Sequence, residues 1–344
     1  MQVTVLTENT VYKRGLFGEH GLSMLLETGG KRYLFDTGQT DVFLRNADKM
    51  KLDLERLDGI ILSHGHYDHC GGMEYWARKQ NAAQNGSPGI PIYINRKAFD
   101  KKFSGHPKTG ELLFGGIHPE AEAWMKQSGN IKYTEEGCMA IAEDVYLLSR
   151  VPFVTGFESV PARFWKEAHT RDGEDTETGR AVRGSLEAGK QISGGEVAES
   201  HLGNSSGNAS QTSNGDLTKS YLGNIHKTGL LGLVADHMED EQLLAIRDEQ
   251  GLCVFAGCAH PGIVNCLKYV QSFFPGEHIH AIVAGMHLKG CSPQQLQKTI
   301  QALREFGADS VVPLHCTGLL AIAAIKEALG ERCLLAEVGK KILL

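Results

Sequence analysis

The chain lacks an excess of positive charge, a long apolar run and a cysteine framework. Its 344 residues carry 35 Lys and Arg against 41 Asp and Glu, a formal net charge of −6. No basic footprint is present, so nucleic acid is not an expected partner. No apolar stretch reaches the roughly 20 residues of a membrane-spanning helix, so no membrane partner is expected either. Residues 1–7, MQVTVLT, read as a first strand and have neither the basic region nor the apolar segment of a secretory signal. The eight cysteines are scattered and show no disulfide spacing. Without a signal they are expected to be reduced thiols in a cytoplasm. What remains is a chain long enough to bury a large core, read as a single domain over 1–344.

What the chain does have is concentrated in residues 63–72, Ser-His-Gly-His-Tyr-Asp-His-Cys-Gly-Gly. His64, His66, Asp68 and His69 fall within six positions. Imidazole and carboxylate are ligands that borderline divalent metals prefer. Upstream, residues 57–62 form a short apolar run, as in a buried strand, and residues 73–84 can be helical. The cluster therefore sits on a strand-to-helix loop, where open α/β sheets commonly build their sites. His64 and His66 are two apart, so in extended backbone they point the same way. Asp68 and His69 follow the turn and can face the same cavity from another side. Two adjacent divalent metals suit that geometry, with zinc the first choice and Mn2+, Fe2+ or Mg2+ open.

Organisation along the chain supports an α/β reading. Residues 1–62 alternate short apolar runs with turns and read as β-rich, with strands at 3–6, 23–27, 32–35 and 59–62. Further strands are expected at 90–94 and 145–148. From about 167 to 223 the composition turns to Gly, Ser, Asn, Thr and charge, which reads as a mobile insertion, either a lid or disordered. Order resumes at 230–234. Strands at 243–246, 253–256, 279–284 and 310–314 then alternate with helices at 263–273, 293–306 and 319–329. Ser292 and Pro293 suit the start of the second of these helices. Three strand ends in this half carry a histidine: His260 after Cys258, His287 and His315.

His-x-His-x-Asp-His behind a strand resembles the signature of the metallo-β-lactamase superfamily. The resemblance implies a four-layer αββα sandwich and a dinuclear metal site. Residues 34–38, LFDTG, resemble the strand-turn that precedes that signature. This implies that Asp36 supports the metal loop by bonding a ligand histidine; taken alone, Asp36 also reads as a turn residue. The resemblance further implies His315 as the residue closing a second metal and His260 as another ligand. Cys258 stands where many members carry a bridging aspartate; its alternative is a small buried residue. Asp68 is then both a ligand and the orienter of a metal-bound hydroxide. His287 is read as substrate-facing and catalytic, or as an alternative ligand. Glu19 and His20 belong either to the active-site wall or to a solvent-facing turn.

One departure from the superfamily pattern stands out: no His-x-x-Gly-His motif precedes residues 255–257. Asp236-His237-Met238-Glu239-Asp240-Glu241 occupies that interval, so His260, His237 or one of these acids is expected in its place.

A narrower resemblance covers nearly the whole chain outside the insertion. Residues 9–11, 19–23, 63–72, 257–265, 285–288 and 314–318 together resemble the dihydropterin-ribofuranosylaminobenzene-phosphate synthase-like group. The expected function is a metal-dependent hydrolase acting on a phosphoester or related ester through a metal-bound hydroxide. The alternative is a transferase that condenses a dihydropterin diphosphate with a ribofuranosylaminobenzene phosphate. A third reading is a non-catalytic sensor of a metal-bound ligand. The expected partner in each case is an anionic small molecule, with the oligomeric state left open.

Overall fold

The computed structural model describes residues 1–83, 89–106, 111–128, 130–168 and 232–344. The expected insertion at 167–223 therefore lies, apart from Glu167 and Ala168, outside the described residues.

Two sheets form the centre. One has seven strands in the order Lys341–Leu343, Gln2–Thr7, Ser23–Thr28, Lys31–Phe35, Gly59–Ile61, Ile92–Asn95 and Ile131–Thr134. The other has six, in the order Ser310–Leu314, Ile279–Gly285, Gly251–Ala256, Gln242–Asp248, Val145–Ser149 and Gly137–Ala142. Their strands are apolar on both faces because both faces are covered. In the first sheet Met24, Leu26, Tyr33, Phe35 and Ile61 point to the second sheet. The alternate residues Leu25, Leu34 and Ile60 meet helices instead. In the second sheet Leu244, Cys253, Phe255 and Val283 face the first sheet, while Leu243, Leu252, Val254 and Ile282 pack under helices. This period-two split produces a four-layer αββα sandwich.

The helices Ile263–Phe273, Pro293–Phe306 and Leu319–Leu329 have the expected bounds. The Ser292 hydroxyl accepts the Gln295 N–H at 3.1 Å, and Pro293 opens its helix. A helix at Val42–Met50 interrupts the segment read as β-rich, burying Phe43 and Ala47 four residues apart. A third, four-stranded sheet was also not anticipated. It joins Leu233–Ala235, Phe164–Glu167, Lys102–Gly105 and Leu112–Phe114.

The parallel strands position the site. Lys31–Phe35, Gly59–Ile61 and Ile92–Asn95 run parallel in one sheet; Gly251–Ala256, Ile279–Gly285 and Ser310–Leu314 run parallel in the other. Their carboxyl ends deliver the loops that carry Asp36, the His64–His69 cluster, Cys258, His260, His287 and His315. No helix among the described residues is long and apolar enough to cross a membrane, and all eight cysteines are free thiols.

A buried ion triad ties the small sheet to the metal-type loop. Lys102 Nζ lies 2.6 Å from Asp236 Oδ2 and 2.9 Å from Asp240 Oδ1. Burial works against the ammonium charge, and the two carboxylates more than restore it. Replacing one partner of such a group strands the others. Lys102→Met is therefore expected to cost about 3–5 kcal/mol in denaturant unfolding. A loss under about 1 kcal/mol, inside the range of exposed ion pairs, would contradict this account.

Candidate metal centre

The first loop leaves its strand at Leu62 and passes beneath the small sheet. Gly65 N–H donates to Asp240 Oδ2 at 2.8 Å. A Cβ at Gly65 would come 2.1 Å from the Ala98 carbonyl oxygen, so the approach requires glycine. On either side of it, His64 Nε2 and His66 Nδ1 lie 3.1 Å apart. The chain then turns into a short helix, Tyr67–Cys70, which presents Asp68 and His69.

Asp36 sits under this loop, fully buried and with φ 57°. Its Oδ1 accepts the Ser63 N–H at 2.7 Å, and its Oδ2 accepts the Ser63 hydroxyl at 2.7 Å. The same Oδ2 lies 2.7 Å from His69 Nδ1. His69 therefore carries its proton on Nδ1 and turns the Nε2 lone pair inward. Ser63 gives its own proton to Asp36, so its oxygen accepts from His64 Nδ1 at 2.9 Å. His64 likewise keeps Nε2 free.

The second-half residues arrive from the other sheet. A Cβ on Gly257 would fall 2.0 Å from the Ser63 oxygen, so the two sheet ends touch here. Cys258 Sγ lies 3.1 Å from His69 Nε2. The buried Glu241 carboxylate accepts the His260 N–H at 2.8 Å and the Cys258 N–H at 3.4 Å. The His260 ring lies 5.0 Å from the His64 ring and 4.9 Å from the His66 ring, and neither of its nitrogens has a hydrogen-bond partner. His315 is fixed by its N–H to Glu8 at 2.8 Å and its Nδ1 at 3.0 Å from Asn9 Oδ1. Its Nε2 lies 3.3 Å from Asp68 Oδ2, and His20 Nε2 lies 3.2 Å from the same oxygen. The His287 ring is 4.4 Å from that of His260, with Nδ1 buried and unpartnered.

Backbone strain gathers at these strand ends. Asp36, Ala259, His287 and His315 all have φ between 46° and 57°, which side chains with a Cβ rarely adopt. Each such residue costs on the order of 1–3 kcal/mol and persists where its surroundings fix it, commonly at functional sites.

The donor atoms form overlapping groups within 4.8 Å: His64, His66 and His260; His64, His69 and Cys258; His20, Asp68 and His315. Cys258 also groups with His260 and His287, and with His315 and Cys316. Burial pulls His64 and His260 well below the ordinary histidine range, and His66 to about 3. These imidazoles are neutral, the form that binds metal. Burial opposes ionisation of Asp68, but His69, His20 and His315 outweigh it and hold the carboxyl well below its usual range. Buried ring nitrogens without partners beside an ionised carboxylate and a thiol fit divalent metal ions.

The structure brings together His64, His66, Asp68, His69, Cys258, His260 and His315, with His287 at the rim. His20, expected in the wall, stands among the donors. Glu19 is corrected: it bonds the Gln39 and Thr40 N–H groups at 2.9 and 3.1 Å and the Thr40 hydroxyl at 2.6 Å, away from the donors. In the interval of the missing motif His237 is exposed and Asp236 and Asp240 bind Lys102, whereas His260 stands beside His64 and His66. Sequence reasoning missed Ser63, Glu8 and Glu241 as supports and Cys316 as a neighbour. Their signal was adjacency to strand ends alone.

Fold and sequence agree on the class. The profile of the Metallo-beta-lactamase superfamily matches residues 16–131, the segment that holds Asp36 and the His64–His69 cluster. The crystal structure of Tm1679, a metal-dependent hydrolase of the beta-lactamase superfamily, superposes with a TM-score of 0.68 at 26% identity, covering 100% of this chain and 99% of that one. This chain therefore has the metallo-β-lactamase fold.

Among individual relatives, it is 26% identical over 352 residues to the 7,8-dihydropterin-6-methyl-4-(beta-D-ribofuranosyl)-aminobenzene-5'-phosphate synthase of Methanocaldococcus jannaschii. That match covers 98% of this chain and 95% of the synthase. An uncharacterized protein of the same organism is 24% identical over 327 residues, 94% of each chain. The resemblance to the synthase-like group thus runs along nearly the whole chain.

Histidine NMR of the metal-free protein tests the electrostatics. His64, His66 and His260 are expected to keep neutral-imidazole signals from pH 7.5 down to 5, because their folded values lie below the ordinary value of about 6.5. A titration near pH 6.5 at any of the three would show that burial does not control it.

Proposed function

We propose that this chain is a metal-dependent hydrolase acting on a phosphoester or related ester of an anionic small molecule. The observation that carries the reading is the convergence of unpartnered, neutral ring nitrogens of His64, His66 and His260 beside Asp68, His69, Cys258 and His315. His64, His66 and His260 would hold one divalent ion. Asp68, His69 and His315 would hold a second, with His20 and Cys258 as further donors. Zinc suits this mixture of imidazole, carboxylate and thiol. Divalent ions, when bound, supply Lewis acidity that polarises a phosphoryl or ester oxygen and makes water a nucleophile near neutral pH.

The chain's own groups position and exclude. Asp36 locks the His69 ring, and Ser63 locks His64. Asp68, kept ionised by three histidines, accepts a proton from the attacking water and orients it. Phe164 covers the His66 and His260 rings and keeps that side dry. His287, at the rim, is placed to meet the departing oxygen. In this reading residues 1–344 work as one domain, in a cytoplasm, on a small molecule, with no nucleic acid or membrane partner.

The similarity to the synthase over 98% of this chain supports a second reading, a transferase that joins a pterin diphosphate to an arylamine. There the same donors would face the departing diphosphate, and no water would attack. Diphosphate release that requires the amine distinguishes this from hydrolysis.

Wild-type protein loaded with zinc or manganese is expected to cleave members of a phosphomonoester and phosphodiester panel. His66→Ala is expected to lose at least about 10³-fold, within what metal activation of water contributes. Hydrolysis that survives this change would overturn the proposal. Asp36→Asn is expected to weaken metal binding by about 10–100-fold, measured by competition with a chelator. Cobalt-loaded protein is expected to show a thiolate charge-transfer band that Cys258→Ser removes; a band that persists would take Cys258 out of the donor set.

A further inference from the structure

Phe164 closes one side of the centre, with its ring 5.1 Å from that of His66, 5.0 Å from His260 and 5.7 Å from His287. The residue before it, Arg163, is exposed and stands at the opening. Its guanidinium carbon sits 5.0 Å from the Phe164 ring centre, and its Nη2 lies 3.4 Å from His287 Nε2. That contact is long for a hydrogen bond, so the five N–H donors of the guanidinium are nearly all unused. Among the described residues no carboxylate pairs with it. The buried cations nearby differ. Lys102 is neutralised by Asp236 and Asp240, and Lys166 by Asp100 and Glu239.

Tyr67 contributes from another side. It belongs to the metal-type loop, is 38% exposed, and lies within electrostatic reach of Asp68, Arg163 and Cys258. Burial pushes its phenol up to about 12, so it remains a hydrogen-bond donor at neutral pH. The opening thus pairs a fixed planar cation, aligned by an aromatic face, with a phenolic donor. Both border the donors of the centre.

We propose that Arg163 is the specificity residue of this centre and that the substrate is a phosphate monoester, gripped through two anionic oxygens by the Arg163 guanidinium with Tyr67 donating to the same group. A planar fork of N–H donors matches two phosphate oxygens, which an ammonium cannot do. Aromatic support fixes the fork before the ligand arrives. This assignment rests on the hydrolase reading for turnover, but not for binding.

The test uses metal-loaded protein and inorganic phosphate as the probe, followed by titration calorimetry. Arg163→Ala is expected to weaken phosphate binding by about 10- to 100-fold, the usual weight of a charged hydrogen bond. Arg163→Lys, which keeps charge but loses the fork, should fall between the two. Metal content and unfolding midpoint serve as controls that the variants are folded and loaded. With p-nitrophenyl phosphate and the neutral p-nitrophenyl acetate as substrates, Arg163→Ala should lose at least about tenfold more kcat/KM on the phosphate, mainly through KM. Phosphate binding that depends on Arg163 in a protein that turns over no ester would support this assignment while sinking the hydrolase reading. The assignment is overturned if wild-type protein does not bind phosphate, or if Arg163→Ala binds it as tightly.

Discussion

The centre depends on one buried carboxylate. Asp36 bonds the Ser63 N–H, the Ser63 hydroxyl and His69 Nδ1, and no water shares the load in its fully buried position. Through these bonds it sets which nitrogen of His69 faces inward. Through Ser63 it does the same for His64. Its own backbone N–H donates to Ile61 O at 2.8 Å, and the adjacent Thr37 bonds His69 O through both N–H and hydroxyl. The strand end before Asp36 and the loop after Ile61 therefore move as a unit. Reaching this position requires a left-handed backbone at Asp36, a cost of about 1–3 kcal/mol. Three hydrogen bonds to a charged group, each worth roughly 1.5–3 kcal/mol, offset it.

The second sheet is joined to this unit beside the donors. Gln242 N–H donates to Ser63 O at 2.8 Å, and its side-chain amide donates to Leu62 O at 2.7 Å. Gly257 passes so close to Ser63 that no side chain fits between them. Ser63 thus touches Asp36, His64, Gln242 and Gly257, and relates ligands from both halves of the chain within a few ångströms. Loops this strained hold position because both flanking strands are central in their sheets and bury both faces. Rigid elements below and left-handed residues at their ends are what aim five histidines from separate segments at one volume.

Much of this was legible because it follows local rules. The helices at 263–273, 293–306 and 319–329 announce themselves by apolar spacing and, for the second, by Ser292-Pro293. The His64–His69 cluster declares its chemistry by density, and Asp36 by its place in Leu-Phe-Asp-Thr-Gly. The rest depends on tertiary contacts. The Val42–Met50 helix buries Asn46, whose amide bonds Leu6 O and Phe17 O, so its polarity disguised a core face. The small sheet has strands of three or four residues and hides Lys102 and Lys166 behind ion pairs, which no periodicity reveals. Glu19 and His20 are neighbours in sequence, yet one caps the Gln39–Thr40 turn and the other reaches Asp68. The run from Asp236 to Glu241 looked like a ligand source and instead supplies the supports behind the ligands: Asp240 for Gly65 and Glu241 for His260.

Charge explains why such a centre would favour anions on a chain whose net charge is −6. His64, His66 and His260 are held neutral by burial, so they donate lone pairs without adding charge. A divalent ion held by them keeps its two positive charges. Asp68 carries one negative charge within the donor set, and Asp36 spends its own on Ser63 and His69. The other buried carboxylates nearby are committed as well, Asp240 to Lys102 and Gly65, Glu241 to backbone N–H groups. The loaded centre is therefore positive in a low-dielectric setting, where Coulomb terms are strong and screening is weak. Arg163 adds a further charge at the opening. A neutral ester gains from neither, whereas a phosphate gains from both along one approach path, so the same burial that tunes the imidazoles for metal also selects the charge of what can follow.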